Sequence, residues 1–171
     1  MRNKILLIIC TLLLASCVGK RPAAEVKFNE AGVSFVCPSG WEITDRELDG
    51  ETGFIALEKT GYSSSGIITV SWIAGELSAE DYMDINVDLL KDGGSGFSDI
   101  SIVEIPGAAF AGYEAEAIEY GASFSGIPFY GDIFTFVHSG KTFSIMRQGA
   151  REDMDKYIAS FDRFEKSFKV S

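Results

Sequence analysis

From Val26 onward the apolar positions fall into short runs separated by glycine-bearing turns. "VKFN" and "VSFVC" read as two strands around the turn Glu30-Ala31-Gly32. Pro38-Ser39-Gly40 is a further turn, because proline fixes φ and glycine accepts conformations closed to other residues. "WEIT" resumes extended structure. "GFIALEK" and "GIITVSWIA" are rich in β-branched and aromatic residues and form a hairpin across Gly61-Tyr62-Ser63-Ser64-Ser65. The period then changes. Between Ser78 and Lys91, Tyr82, Ile85 and Leu89 recur at helical spacing, and Met83, Val87 and Leu90 widen the stripe. Ser78 with Asp81 approximates a capping box, Glu80 and Asp81 suit the positive helix start, and "DGGSG" ends the helix.

Four more extended segments follow: "ISIVEI", "GYEAEAIEY", "PFYGDIFTFVH" and "KTFSIMRQ". Pro106-Gly107, Ser125-Gly126 and Ser139-Gly140 break them, the last tight enough for a hairpin. The chain closes on a helix with Met154, Tyr157, Ile158, Phe161, Phe164 and Phe168 on one face. Arg151 aside, its first turn is acidic and its end basic, as the helix dipole prefers. Strands, helix, strands, helix with hairpin-length links predict an α+β fold, a mostly antiparallel sheet covered by helices, in one domain over residues 26–171.

The first residues follow another pattern. Arg2 and Lys4 precede Ile5 to Leu14, an apolar run with Thr11 its one hydroxyl. That is short of the ~20 residues that span a bilayer and matches a secretory h-region of about 7–15 residues. Leu14-Ala15-Ser16-Cys17 ends it, and the segment resembles a bacterial lipoprotein signal closing on a lipobox. The resemblance implies a leader over residues 1–16, a diacylglycerol on the Cys17 thiol and a lipidated tether over residues 17–25. Each buried methylene of such an anchor contributes about 0.8 kcal/mol, so two or more chains hold where one binds only marginally. In lipoproteins an Asp after the cysteine can retain the protein at the inner membrane; here Val18, Lys20 and Arg21 follow Cys17, so the resemblance implies the outer membrane facing the periplasm, in a cell that has one, over the inner membrane.

Charge narrows the partners. Losing Arg2 and Lys4 with the leader leaves 13 basic against 25 acidic residues, a formal charge of −12. Such a polyanion repels nucleic-acid phosphates and anionic headgroups, so no nucleic acid is expected as a partner and the membrane is expected to be met through the lipid. The cysteines reduce to one: Cys10 leaves with the leader, Cys17 carries lipid, and Cys37 in "VSFVCPSGW" has no disulfide partner within the chain. Cys37 reads as a small buried hydrophobe, since no histidine neighbours it to lower its pKa.

Three stretches then carry a second resemblance. "VSFVCPSGW", "GIPFYGDIFTFVHSGKTFSIMRQG" and "YIASFDRFEKSFK" resemble, in order, the entry strand, late hairpin and closing helix of PsbP-like domains. The resemblance spans most of Val26 to Lys169. It implies an antiparallel sheet flanked by helices on both faces, an α/β/α sandwich. Known members include an extrinsic subunit of photosystem II and a nuclear Ran-binding factor, which act by binding other proteins. Many bacterial members are uncharacterised secreted or lipid-anchored domains. The shared positions, Pro38, Gly40, Trp41, Gly140 and Phe168, are turn and packing residues, so no catalytic residue carries over.

Several groups invite chemistry. His138 is the only histidine, there is no G-x-S-x-G elbow, and a zinc site lacks ligands, so His138 reads as an exposed or half-exposed strand end. Asp45, Glu47, Asp49 and Gly50 resemble the start of a calcium loop, but Ala56 stands where a bidentate glutamate belongs, leaving a solvated acidic loop. Glu114, Glu116, Glu119 and Asp132 offer carboxylates for glycoside hydrolysis if two face each other across a cleft; otherwise they are a charged sheet edge. In "ASFSGIPFYGD", Phe124, Pro128, Phe129 and Tyr130 crowd a turn, and Phe124, Phe129 and Tyr130 are the candidate partner-binding residues. The chain is thus expected to be a non-enzymatic, lipid-anchored envelope domain that binds a protein, with no catalytic residue, metal or cofactor. A carboxylate-based hydrolase and a small-ligand carrier are the alternatives.

Overall fold

The computed structural model describes residues 25–61, 64–92 and 96–171. The leader, Cys17 and nearly all of the tether lie outside these, as do Tyr62, Ser63 and part of "DGGSG". β1 (Val26–Glu30) and β2 (Val33–Cys37) pair antiparallel, and β11 (Lys169–Val170) adds to β2 in a three-stranded sheet. Val33, Phe35 and Cys37 point inward at alternate positions. Burial holds the Cys37 thiol neutral, with Glu42 adding to the effect, and its pKa is pushed up to about 11.

The larger antiparallel sheet takes in β3 (Trp41–Leu48), β4 (Thr52–Lys59), β5 (Ile67–Ala74), β6 (Phe97–Glu104), β8 (Tyr113–Phe124), β9 (Ile127–His138) and β10 (Lys141–Ala150). Their order is β3-β4-β5-β10-β9-β8-β6, and β7 (Ala108–Phe110) pairs with the start of β8. The sequence reading of "WEIT" stops too early: β3 runs on through Asp45 and Glu47, which pair with Ala56 and Phe54. An edge strand with solvent beside it tolerates such polar residues. Conversely, Glu114, Glu116 and Glu119 lie on β8, an inner strand, and so do not form a charged sheet edge.

Helix α1 (Ala79–Lys91) begins at Ser78, whose Oγ accepts from Asp81 N at 3.0 Å and donates to the Asp81 carboxylate at 2.6 Å. Its buried residues are Tyr82, Met83 and Leu90, while Ile85 and Leu89 are exposed. The stripe is rotated from the apolar one because the seam contains polar Asn86. Asn86 Oδ1 accepts from Ser144 Oγ at 3.3 Å, Tyr82 and Ser71 join their hydroxyls at 2.9 Å, and Thr135 Oγ1 donates to Ala79 O at 2.8 Å. Met83 and Leu90 complete a cluster with Ile118, Tyr120, Ala122 and Ile133.

Helix α2 (Met154–Ser167) follows a 3-10 turn at Arg151–Asp153. Tyr157, Phe161 and Phe164 are its buried side chains, at i, i+4 and i+7, each contributing about 2–3 kcal/mol by burial. Ile158 departs from the expected face and is exposed, one residue off the seam. Phe168 lies past the helix end in extended backbone, yet its ring packs 5.5 Å from Phe110 and 5.8 Å from Phe164. The main core joins this helix to Trp41, Trp72, Phe110, Phe136 and Phe143, with the Trp41 ring 5.8 Å from both Tyr157 and Phe161.

Candidate protein-binding surface

The β8–β9 hairpin turns on Ser125 and Gly126, whose φ values of 50° and 81° suit a two-residue turn. The turn sets the register Phe124↔Ile127, Ala122↔Phe129 and Gly121↔Tyr130. Phe129 and Tyr130 therefore belong to β9, not to the turn, and as strand neighbours they point to opposite sides of the sheet. On one side Phe97, Phe124 and Phe129 pack mutually, with ring centres 5.7, 5.8 and 6.1 Å apart. On the other, the Arg151 guanidinium lies 5.1 Å from the Tyr130 ring centre, a cation–π contact of about 0.5–1 kcal/mol at an exposed site.

Much of this aromatic end is uncovered. Phe124 is 43% exposed, Ile127 50% and Tyr130 39%, while Phe129 is half-buried. A concavity of about 610 Å³ is lined by Gly126, Ile127, Pro128, Arg151 and Glu152. A smaller one, about 320 Å³, shares Arg151 and is lined by Tyr130, Asp132 and Glu119. The three candidate aromatics thus do not form one patch: Phe124 and Phe129 share a side with Phe97, and Tyr130 is joined instead to Arg151. Ile127 and Arg151 are the additions that the sequence reading lacks. Arg151 was visible as the one base in an acidic helix start, but only the fold brings it to Tyr130.

The carboxylates separate. Glu119 and Asp132 stand opposite each other across β8 and β9. Both Asp132 oxygens, however, accept from Arg147, Nε at 2.8 Å and Nη2 at 2.7 Å, and Arg147 Nη1 donates to Glu165 at 2.8 Å. The guanidinium also lies 5.0 Å from the Phe134 ring centre and 5.6 Å from that of Phe161. Burial pulls the Arg147 pKa down, but Asp132 and Glu165 outweigh it and keep the group charged; burial raises that of Asp132 against Arg147's opposing pull. Such an arrangement ties α2 to the sheet and places one Arg147 donor on each Asp132 oxygen. Glu116 lies elsewhere, beside α1.

His138 is half-exposed at the end of β9, its ring 4.8 Å from that of Tyr113. Asp49 caps its own turn, accepting from Thr52 N at 2.7 Å, Thr52 Oγ1 at 3.0 Å and Glu51 N at 3.1 Å. Those bonds hold its pKa below the usual carboxylate range. Among the described residues no group of three or more His, Cys, Asp or Glu side chains is placed to hold a metal ion. No helix among them is long and apolar enough to cross a membrane.

No protein-family model matches the chain, and no curated protein sequence matches it. Solved structures do. Cyanobacterial PsbP (CyanoP) from Synechocystis sp. PCC 6803 is 16% identical with a TM-score of 0.55, covering 93% of this chain and 99% of that one. LpqN of Mycobacterium tuberculosis, involved in cell envelope biogenesis, is 12% identical with a TM-score of 0.54, covering 86% and 91%. The Ran-binding protein Mog1p of Saccharomyces cerevisiae is 10% identical with a TM-score of 0.54, covering 86% and 94%. At these identities the likeness shows the fold: a mostly antiparallel sheet with two helices, of the PsbP/Mog1 type.

Proposed function

We propose that this chain is a lipid-anchored, non-enzymatic accessory domain of the bacterial cell envelope, which binds a protein partner through the end of the β8–β9 hairpin. The observation that carries the reading is the exposure of Phe124, Ile127 and Tyr130 near a two-residue turn. Phe124 and Tyr130, whose rings already rest on Phe97 and Arg151, lose little entropy on docking. The Ran-binding activity of Mog1p and the envelope role of LpqN agree with it. Arg147 on both Asp132 oxygens speaks against the carboxylate hydrolase. The reading includes lipid on Cys17, a leader over residues 1–16, the outer membrane facing the periplasm, and one domain from Val26 to Ser171. It also takes the helices as lying on opposite faces of the large sheet, since α1 reaches Thr135 and Ser144 while Glu165 of α2 reaches Arg147, which by strand alternation points to the other side from Ser144.

Two variants test it. Ile127→Ser with Tyr130→Ala should remove the partner from a crosslinked pull-down on native membranes, a loss of at least about 2 kcal/mol, while Phe124 and Phe129 keep their packing. Retention of every adduct by the double variant would refute the surface. Cys17→Ala should move the protein out of the membrane fraction with its melting midpoint intact; persistence there after a high-salt wash would refute the anchor.

A further inference from the structure

A groove of about 680 Å³ runs between α1 and the β6 edge of the large sheet, away from the hairpin turn. Its apolar floor is Val87 on the helix and Ile102 on β6, both half-buried, set over the buried Met83 and Ile118. Its rim is acidic: Glu80 and Asp84 stand on the helix, Glu104 and Glu116 on the strands, and Lys91 is the one base in the lining among the described residues. The helix supplies its share at i, i+3, i+4 and i+7 from Glu80 to Val87, a single stripe. The sheet supplies its share at alternate positions, with Glu104 paired to Ile118. All four rim carboxylates are exposed, and none has a hydrogen-bond or ion-pair partner among the described residues.

We propose that this groove docks a basic amphipathic segment of a partner protein, apolar side chains on the floor and lysines or arginines on the rim. Four unpaired carboxylates around an apolar strip repel phosphates and anionic lipid, which removes nucleic acid and a membrane surface as occupants. Unpaired rim charges raise the association rate of a cationic partner, and apolar contact below sets its residence time. The site is separate from the hairpin end, so the two readings fail independently.

The probe is a fluorescein-labelled helical peptide of leucine and lysine, titrated by anisotropy against the full chain. Saturable binding is expected, weakening steeply with added salt. Glu104→Lys with Glu116→Lys should weaken it about tenfold or more. Glu42→Lys with Glu47→Lys, on β3 at the other edge of the sheet, makes the same change in net charge and should stay within about twofold. Val87→Gln, which alters the floor without altering charge, should weaken it about fivefold. Ile127→Ser with Tyr130→Ala should leave it unchanged. Should the strand pair fail to fold, Glu80→Gln with Asp84→Gln reports on the same rim. Equal losses from the two charge reversals would show attraction by net charge alone and overturn the proposal. So would the absence of saturable binding, or equal affinity for a peptide with glutamate in place of lysine.

Discussion

Replacing Arg147 by methionine keeps most of the aliphatic stem and removes the charge that holds Asp132 and Glu165 together. The Arg147 side chain is 11% exposed, and those of Asp132 and Glu165 are 22% and 30% exposed. Removing one partner of a buried pair costs about 3–5 kcal/mol, because the other charge stays behind. Residual solvent at both carboxylates points to the lower end, about 3 kcal/mol, even with the aromatic contacts to Phe134 and Phe161 lost as well. For a domain of this size that lowers the melting midpoint by about 6–12 °C. The deficit should depend on pH. Without Arg147, burial first and then the neighbouring Glu165 and Glu119 carboxylates act unopposed on Asp132 and raise its folded pKa further above the unfolded one. Such an acid takes up a proton on folding, so the folded state gains relative stability as pH falls through that range. Arg147→Met should therefore lose least in acid and most near neutrality, and adding Asp132→Asn should restore part of the loss. Urea melts across the carboxylate range measure this directly. A deficit under about 1 kcal/mol, flat with pH, would mean that the triad does not tie α2 to the sheet.

Phe161→Ala should cost about 3–5 kcal/mol in a denaturant melt, since the ring is 5% exposed and meets Trp41, Tyr157 and Arg147. Gly53→Ala should cost about 1–3 kcal/mol by overpacking, because a Cβ there would sit 2.0 Å from the Trp72 ring. Cys37 should resist alkylation in the folded protein at pH 8, where a pKa of about 11 lowers its thiolate fraction roughly 100-fold below that of an ordinary thiol, and react once urea unfolds the chain. Stability carried by its protonated form is complete below pH 9 and declines as pH rises toward 11.

The turns were the legible part of this fold. Ser139-Gly140 and Ser125-Gly126 each take positive φ at both residues, and a two-residue turn fixes its hairpin's register. Given the first of these, Asp132 opposite Arg147 follows from counting along the strands, whereas Glu165 comes from α2 and required the tertiary fold. Period-two alternation equally separates Phe129 from Tyr130 once both are read as strand residues; reading them as part of a turn hid it. The short strands β7 and β11, of three and two residues, are too brief to show any period. The rotation of α1 was hidden because Asn86, a polar residue, occupies its seam and is satisfied by Ser144. Ile127 escaped notice because a single exposed aliphatic carries no signal until its neighbours in space are known.

In the proposed function the hairpin end is the surface that meets a partner. A photo-crosslinking residue at position 127 in the full-length protein, irradiated in native membranes, tests it, with the same residue at position 47 on β3 as the control. A discrete adduct at position 127 that is missing at position 47, and that disappears when Tyr130→Ala is added, is the expected result. The same adducts from both positions, or none at position 127 with the protein folded and membrane-bound, would contradict it.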